Sequence, residues 1–195
     1  LIKIMSALAE AMYKLTDMII RFAPYGVFAI MAWVSGKYGF VVLLPLIKVV
    51  AGVYIACLIH MFVFMGGAVS IIAKLKPFNF FRAITDAQMV AFSTTSSSGT
   101  LPVTMECAQK NLGVSNSVSS FVLPLGATIN MDGTALYQGV CAIFVANAYG
   151  VDLTFAHYLT IIFTATLASI GTAGVPGAGL IMLSLILNSV GLPME

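Results

Sequence analysis

The chain has 195 residues, of which 60% are hydrophobic and only 8% charged, with a formal net charge of +2. Soluble domains carry about 25% charged residues, so this composition excludes an ordinary soluble domain and indicates an integral membrane protein. A mean hydropathy of +1.03 agrees, and so small a net charge makes no case for nucleic acid as a partner.

Taken in chain order, residues 5–34 predict one helix, polar on one side early and apolar from Met18 onward. Lys3, Glu10, Lys14 and Asp17 make its start an amphipathic lead-in, Arg21 and Pro24 are expected to interrupt it, and Gly36-Lys-Tyr-Gly39 to end it. No secretory leader is visible. The chain opens without Met and closes on a turn-like Gly191-Leu-Pro-Met-Glu195, so both ends read as cut from a longer chain. Residues 40–73 predict a second span, since about 20 apolar residues suffice to cross. Arg21 and Lys48 lie near span ends, where long cationic side chains snorkel. His60, near the middle of the second span, has no carboxylate partner in its own segment and reads as a packing histidine. Lys74, Lys76 and Arg82 gather around Pro77, and by the positive-inside rule that loop is cytoplasmic. The loop Ala148–Thr154 has no Lys or Arg and is placed outside. Trp33, Tyr38, Phe78, Phe80 and Phe81 fall near the predicted interfaces, where aromatic rings anchor helices.

Simple spanning helices end there. Residues 78–92 and 101–112 predict two helical arms, each too short to cross, on either side of Ser93-Thr-Thr-Ser-Ser-Ser-Gly-Thr100. A polar tip between short arms fits a re-entrant hairpin, because non-helical backbone at membrane depth is tolerated only against protein or a water-filled cavity. Residues 117–148 then predict a span broken around Asn130–Gly133. A second pair of short arms, 158–170 and 180–190, flanks Gly171-Thr-Ala-Gly-Val-Pro-Gly-Ala-Gly179 and would enter from the opposite side. Paired interrupted segments of this kind point to a transporter's binding site. An inverted repeat would continue into a second broken span, and the chain ends before one.

The chemistry concentrates in Leu123–Gly139, which places Asp132, Asn130, two threonines and three glycines in an otherwise apolar segment. A carboxylate at the bilayer centre costs about 2.5–3.5 kcal/mol on insertion scales, so Asp132 is a functional candidate by default. Carboxylate, amide oxygen and backbone carbonyls freed by the break are hard oxygen ligands suited to a small cation such as Na⁺. The structural alternatives are a carboxylate bonded to hydroxyls of a neighbouring helix and an asparagine bridging two helices; Met131 reads as packing from spacing alone. The helix after each tip offers unpaired N–H groups to an anion. Ser96, Ser97 and Ser98 add hydroxyls there, and Gly99 and Gly177 allow close approach to the backbone. An ordinary capped polar loop is the alternative. The three cysteines lie far apart and read as small buried hydrophobes. No nucleophile–base set, metal-ligand pair or phosphate loop is present, which argues against an enzyme.

Ser96-Ser-Ser-Gly-Thr-Leu-Pro102, Asn130-Met-Asp-Gly-Thr134 and Gly174-Val-Pro-Gly-Ala-Gly179 resemble, in order and spacing, the motifs of the dicarboxylate/amino acid:cation symporter family, the glutamate/aspartate transporters. Leu8-Ala-Glu-Ala-Met-Tyr-Lys14 and Ala23-Pro-Tyr-Gly-Val-Phe28 extend the match over nearly the whole chain. The resemblance implies an all-α integral membrane fold. It would have transmembrane helices, two oppositely oriented re-entrant helical hairpins and a broken helix, an incomplete elevator-type transporter. It implies a homotrimer in the plasma (inner) membrane, in contact with lipid, with residues 1–38 in the fixed scaffold and 39–195 in an incomplete transport domain. Substrate, an acidic amino acid or C4-dicarboxylate, would meet Thr95, Ser96, Ser97 (foremost), Ser98 and Thr134, under a gate formed by Gly174, Val175, Pro176 and Gly179. Sodium would bind Asn130 and Asp132 through side-chain oxygens, and the carbonyls of Gly126 and Asn130 at a second position. Carbonyls of Thr128, Ser169, Ile170 and Thr172, beside Met131, would serve a third. No other cofactor is implied, and protons could replace sodium.

Some members of that family carry an arginine where this chain has Thr95, and others carry it in a final broken helix that the chain does not reach, so Thr95 does not exclude acidic substrates. That helix also supplies an aspartate for the substrate amine and a further sodium-site aspartate. The 195 residues alone are therefore expected neither to bind tightly nor to transport. Neutral amino acids are the nearest alternative substrates; a passive channel and a non-transporting remnant that associates with complete subunits are the competing classes.

Overall fold

The computed structural model describes residues 2–193. The side chains of Lys3, Glu10 and Asp17, and Met194 and Glu195 of the turn-like end, lie outside the described residues. Every regular element described is helical. The chain divides into two compact units, Leu1–Lys48 and Val49–Glu195.

The first unit is dominated by α1, Ile2–Tyr38. Pro24 lies inside it without ending it, although the ring removes one backbone donor, and the helix ends at Tyr38, within the predicted stop Gly36–Gly39. Lys37 sits 5.0 Å from the Trp33 ring centroid and 4.9 Å from that of Tyr38, which anchors the last turn by cation–π contact. Gly39, at φ 79, turns the chain into a short 3₁₀ segment, Phe40–Leu43.

A continuous helical stretch, Leu44–Ile71, is long and apolar enough to cross a membrane, and its 28 residues span about 42 Å at 1.5 Å per residue. It is not uniform: α2 covers Leu44–Ile59, a π-helical segment His60–Met65 follows, and α3 is Gly66–Ile71. The π turn packs on the next element, α4 (Pro77–Ala83), where Phe62 and Phe81 meet edge-on at 5.6 Å.

In the second unit α5 (Thr85–Thr94) and α6 (Ser97–Lys110) pack together across Thr95 and Ser96. Thr95 takes the left-handed conformation at φ 51, and Ser96 caps α6 by accepting the Gly99 N–H at 3.0 Å. The polar tip predicted over residues 93–100 is therefore only two residues wide, because the cap lets Ser97–Thr100 enter the helix. Next come α7 (Asn116–Ile129) and α8 (Asp132–Ala148), separated by Asn130 and Met131 alone, with ψ of 65° and 58°. α9 (Phe155–Ile170) opens with a reciprocal capping box between Thr154 and His157, and α10 (Ala178–Ser189) follows the tip at residues 171–177.

The core lies where α8, α9 and α10 meet, built from Ala142, Ala146, Ile161, Ala165, Ala168, Ile186, Leu187 and Leu192. Alanines on α8 and α9 let the backbones approach closely, the usual solution where lipid removes the hydrophobic drive for helix association. α2 also approaches α8 closely: a Cβ on Gly52 would sit 3.2 Å from Val140 Cγ1. Many large apolar side chains remain outside, among them Phe92, Phe121, Phe163 and Ile181, each at least 66% exposed, as a lipid-facing surface requires.

Candidate functional site

The break between α7 and α8 is the centre of the site. The Gly126 carbonyl accepts the Asn130 N–H at 3.0 Å, and the Met131 carbonyl accepts the N–H groups of Thr134 (3.0 Å) and Ala135 (3.2 Å). α7 thus ends, and α8 begins, within two residues. The last carbonyls of one helix then lie beside the first amides of the next, groups for which a helix end has no internal partner. Asp132 is the first residue of α8, where the helix dipole favours negative charge.

Asn130, Met131, Asp132, Thr134 and Ser97 line one cavity of about 690 Å³. A smaller cavity of about 140 Å³ is lined by Thr95, Ser97, Met131, Thr134, Thr172, Gly174, Val175 and Gly179, with room for about four or five waters at ~30 Å³ each. Ser97, Met131 and Thr134 form the wall common to both. Asp132 and Ser169 line a third cavity, of about 430 Å³. The structure therefore brings together most of the residues singled out from sequence. Gly126, Thr128 and Ile170 stand outside these three cavities; the Gly126 carbonyl is engaged by Asn130, and the Thr128 hydroxyl donates to Leu125 O at 3.1 Å. Ser169 and Thr172 are buried, with hydroxyls donated to the carbonyls of Thr166 (2.8 Å) and Ala168 (2.7 Å).

The two tips touch at one atom. The Gly174 carbonyl accepts the Ser98 N–H at 3.0 Å and the Ser96 hydroxyl at 2.8 Å. The α6 donors read as open to an anion are thus occupied here: Ser98's amide by Gly174, and Gly99's by the Ser96 hydroxyl. Within α6, Pro102 has no N–H to give to the Ser98 carbonyl, which leaves one more acceptor near the tip. Pro176 does not line the small cavity, and its neighbour Gly177, at φ 79, starts α10. The Gln138 amide, fully buried, donates to Gly179 O at 3.1 Å and ties α10 to α8.

One partner was not foreseen. His60 Nε2 lies 3.1 Å from Asp132 Oδ2, so the histidine read as a packing residue meets the carboxylate of the break. Among the described residues no group of three or more His, Cys, Asp or Glu gathers, and the donors at the break are oxygens of one carboxylate, one amide and backbone carbonyls. Such a set fits a hard, weakly charged cation better than a transition metal.

Helical elements throughout the described residues, an apolar exterior and an oxygen-lined site at a helix break are the class features of this protein. A profile of the sodium:dicarboxylate symporter family matches residues 1–195, and the chain belongs to that family. Excitatory amino acid transporter 2 of Mus musculus is 42% identical over 203 aligned residues, covering 100% of this chain and 34% of the relative. The human protein of that name is 43% identical over 196 residues, covering 96% and 33%. The proton/sodium-glutamate symport protein of Geobacillus stearothermophilus is 40% identical over 190 residues, covering 96% and 44%. The chain thus spans about a third to under a half of the length of these relatives. Members of this family are membrane transporters, and these relatives are named as excitatory amino acid transporters or as a proton/sodium-glutamate symporter.

Proposed function

We propose that these residues form part of a secondary symporter that couples an inward sodium (or proton) gradient to uptake of an acidic amino acid or C4-dicarboxylate. The observation that carries this reading is that Asn130, Met131 and Asp132, at the α7/α8 break, line one cavity with Ser97 and Thr134. Cation ligands and substrate ligands are then neighbours, and occupation of one position changes the field and backbone at the other. Relatives named for sodium and glutamate support the pairing of ion and substrate.

In this reading Asn130 and Asp132 hold one sodium through side-chain oxygens. The carbonyls of Gly126 and Asn130 serve a second, and those of Thr128, Ser169, Ile170 and Thr172, beside Met131, a third. Thr95, Ser96, Ser97, Ser98 and Thr134 bind the substrate, beneath the latch that the Gly174 carbonyl makes with the Ser98 N–H and the Ser96 hydroxyl. The strip Gly174, Val175, Pro176 and Gly179 closes over it. α5/α6 and α9/α10 act as oppositely oriented re-entrant hairpins. Residues 1–38 belong to a fixed, trimer-forming scaffold and 39–195 to a body that moves as an elevator; the separate compactness of Val49–Glu195 supports a division in this region. The protein works as a multi-pass homotrimer in the plasma membrane.

The test is uptake of labelled aspartate, glutamate and succinate by proteoliposomes of the full-length protein. Uptake should require an inward sodium or proton gradient and show a fixed ion-to-substrate ratio. Ion current without such a ratio would replace the symporter by a channel, and competition by serine or alanine alone would move the substrate class to neutral amino acids.

A further inference from the structure

We infer that His60 is a positioning residue for the cation site at Asp132, an inference that rests on the ion-site reading above. The two residues are 72 apart in sequence, and only the fold makes them partners: His60 Nε2 is 3.1 Å from Asp132 Oδ2. An ionised carboxylate can only accept, so Nε2 carries the hydrogen and donates it.

Three features make this more than a tie between two helices. First, Asp132 and His60 both line two cavities, of about 690 and 430 Å³. Open space beside the carboxylate leaves packing unable to fix its rotamer, and its side chain is 37% exposed. A directed donor does what packing cannot. Second, the imidazole is itself held: it stacks on Phe64, with centroids 5.8 Å apart and planes 27° from parallel. Third, His60 begins the π-helical segment His60–Met65. A π turn re-aims the side chains on either side of it, and such turns recur at functional sites. A carboxylate fixed on one oxygen before the cation arrives loses less freedom on binding it, as hydrogen-bonded partners do for metal ligands generally.

The experiment uses the full-length protein with His60→Leu, which has no donor, His60→Gln, which keeps an N–H of comparable reach, and Asp132→Asn. Equilibrium binding of radioactive sodium to protein in detergent is measured, together with the sodium concentration that half-saturates uptake. The inference requires roughly a tenfold or greater rise in the sodium dissociation constant for His60→Leu, recovery to within about threefold for His60→Gln, and near-parental uptake at saturating sodium. It is overturned if His60→Leu binds sodium within twofold of the parent, or if His60→Gln is no better than His60→Leu. Should His60→Leu not fold, His60→Asn, an amide too short to reach Oδ2, takes its place with the same expected loss. The Asp132→Asn arm separates the two layers. Unchanged sodium binding there removes the ion site itself, whereas weakened binding there with a silent His60→Leu removes only the role of His60.

Discussion

Gly174→Ala is expected to unlatch the two tips. A Cβ at this position would sit 2.6 Å from Ser98 Oγ, 3.2 Å from Ala127 O and 3.2 Å from Ser98 N. The hydroxyl can rotate away; the two backbone atoms cannot retreat without shifting the start of α6 or the end of α7. The second tip therefore has to withdraw by a few tenths of an ångström at the one place where its carbonyl accepts two hydrogen bonds, from Ser98 N and Ser96 Oγ. At about 0.5–1.5 kcal/mol net for each bond, the closed arrangement loses about 1–3 kcal/mol. Since 1.4 kcal/mol is a factor of ten, its population relative to the open form falls by about 5- to 150-fold. If closure of this tip holds the substrate, the half-saturating substrate concentration rises by a factor within that range at saturating sodium. A Val175→Cys probe, in a background lacking Cys57, Cys107 and Cys141, should then react faster with an impermeant maleimide. Gly67→Ala is the control, because nothing lies within 4 Å of its added Cβ. Substrate affinity within twofold of the parent, with unchanged labelling, would refute the latch.

Asp132→Asn keeps the size and removes the charge, so the sodium concentration needed for half-maximal uptake should rise at least tenfold. Because binding linkage is reciprocal, substrate affinity at fixed sodium must fall as well, and an unchanged sodium dependence would sink the assignment. Gly177→Ala places a side chain at φ 79 with nothing within 4 Å of its Cβ, so the cost is backbone strain alone, about 1–2 kcal/mol, read as a lower Tm in detergent. Gln138→Ala removes the tie to Gly179 O and empties a fully buried position. A loss of about 1–3 kcal/mol is expected in reversible unfolding in mixed micelles, and an unchanged midpoint would show that α8 and α10 hold together without it.

Local chemistry explains which parts were readable in advance. Serine and glycine mark where α5 gives way to α6 and where α9 ends and α10 begins, and the helix break lies at Asn130–Gly133 as the motif predicts, whereas nothing of the kind marks Ile84, where the predicted arm 78–92 divides into α4 and α5. The differences are local too. The serine tip is narrower than the predicted 93–100 because Ser96, three residues before Gly99, is an N-cap that lets Ser97–Thr100 enter α6. Pro24 was expected to interrupt a helix that runs on to Tyr38, where a missing donor costs one bond and the flanking turns persist. What could not be read was pairing at a distance. No periodicity connects His60 to Asp132 or Ser98 to Gly174, because such partners depend on how helices stack, not on the residues beside them.

Those distant pairs share a logic with the break itself. Interrupting a helix exposes carbonyls and amides that lipid cannot satisfy, and two of the interruptions in this chain are met by groups from another one. The second tip's Gly174 carbonyl answers the first tip's donors, and a histidine at a π turn answers the carboxylate that opens α8. Under the proposed function, these internal partners hold the carboxylate and the two tips in place before a ligand arrives, so less freedom is lost on binding. Loosening either partner should then change affinities more than it changes the stability of the fold.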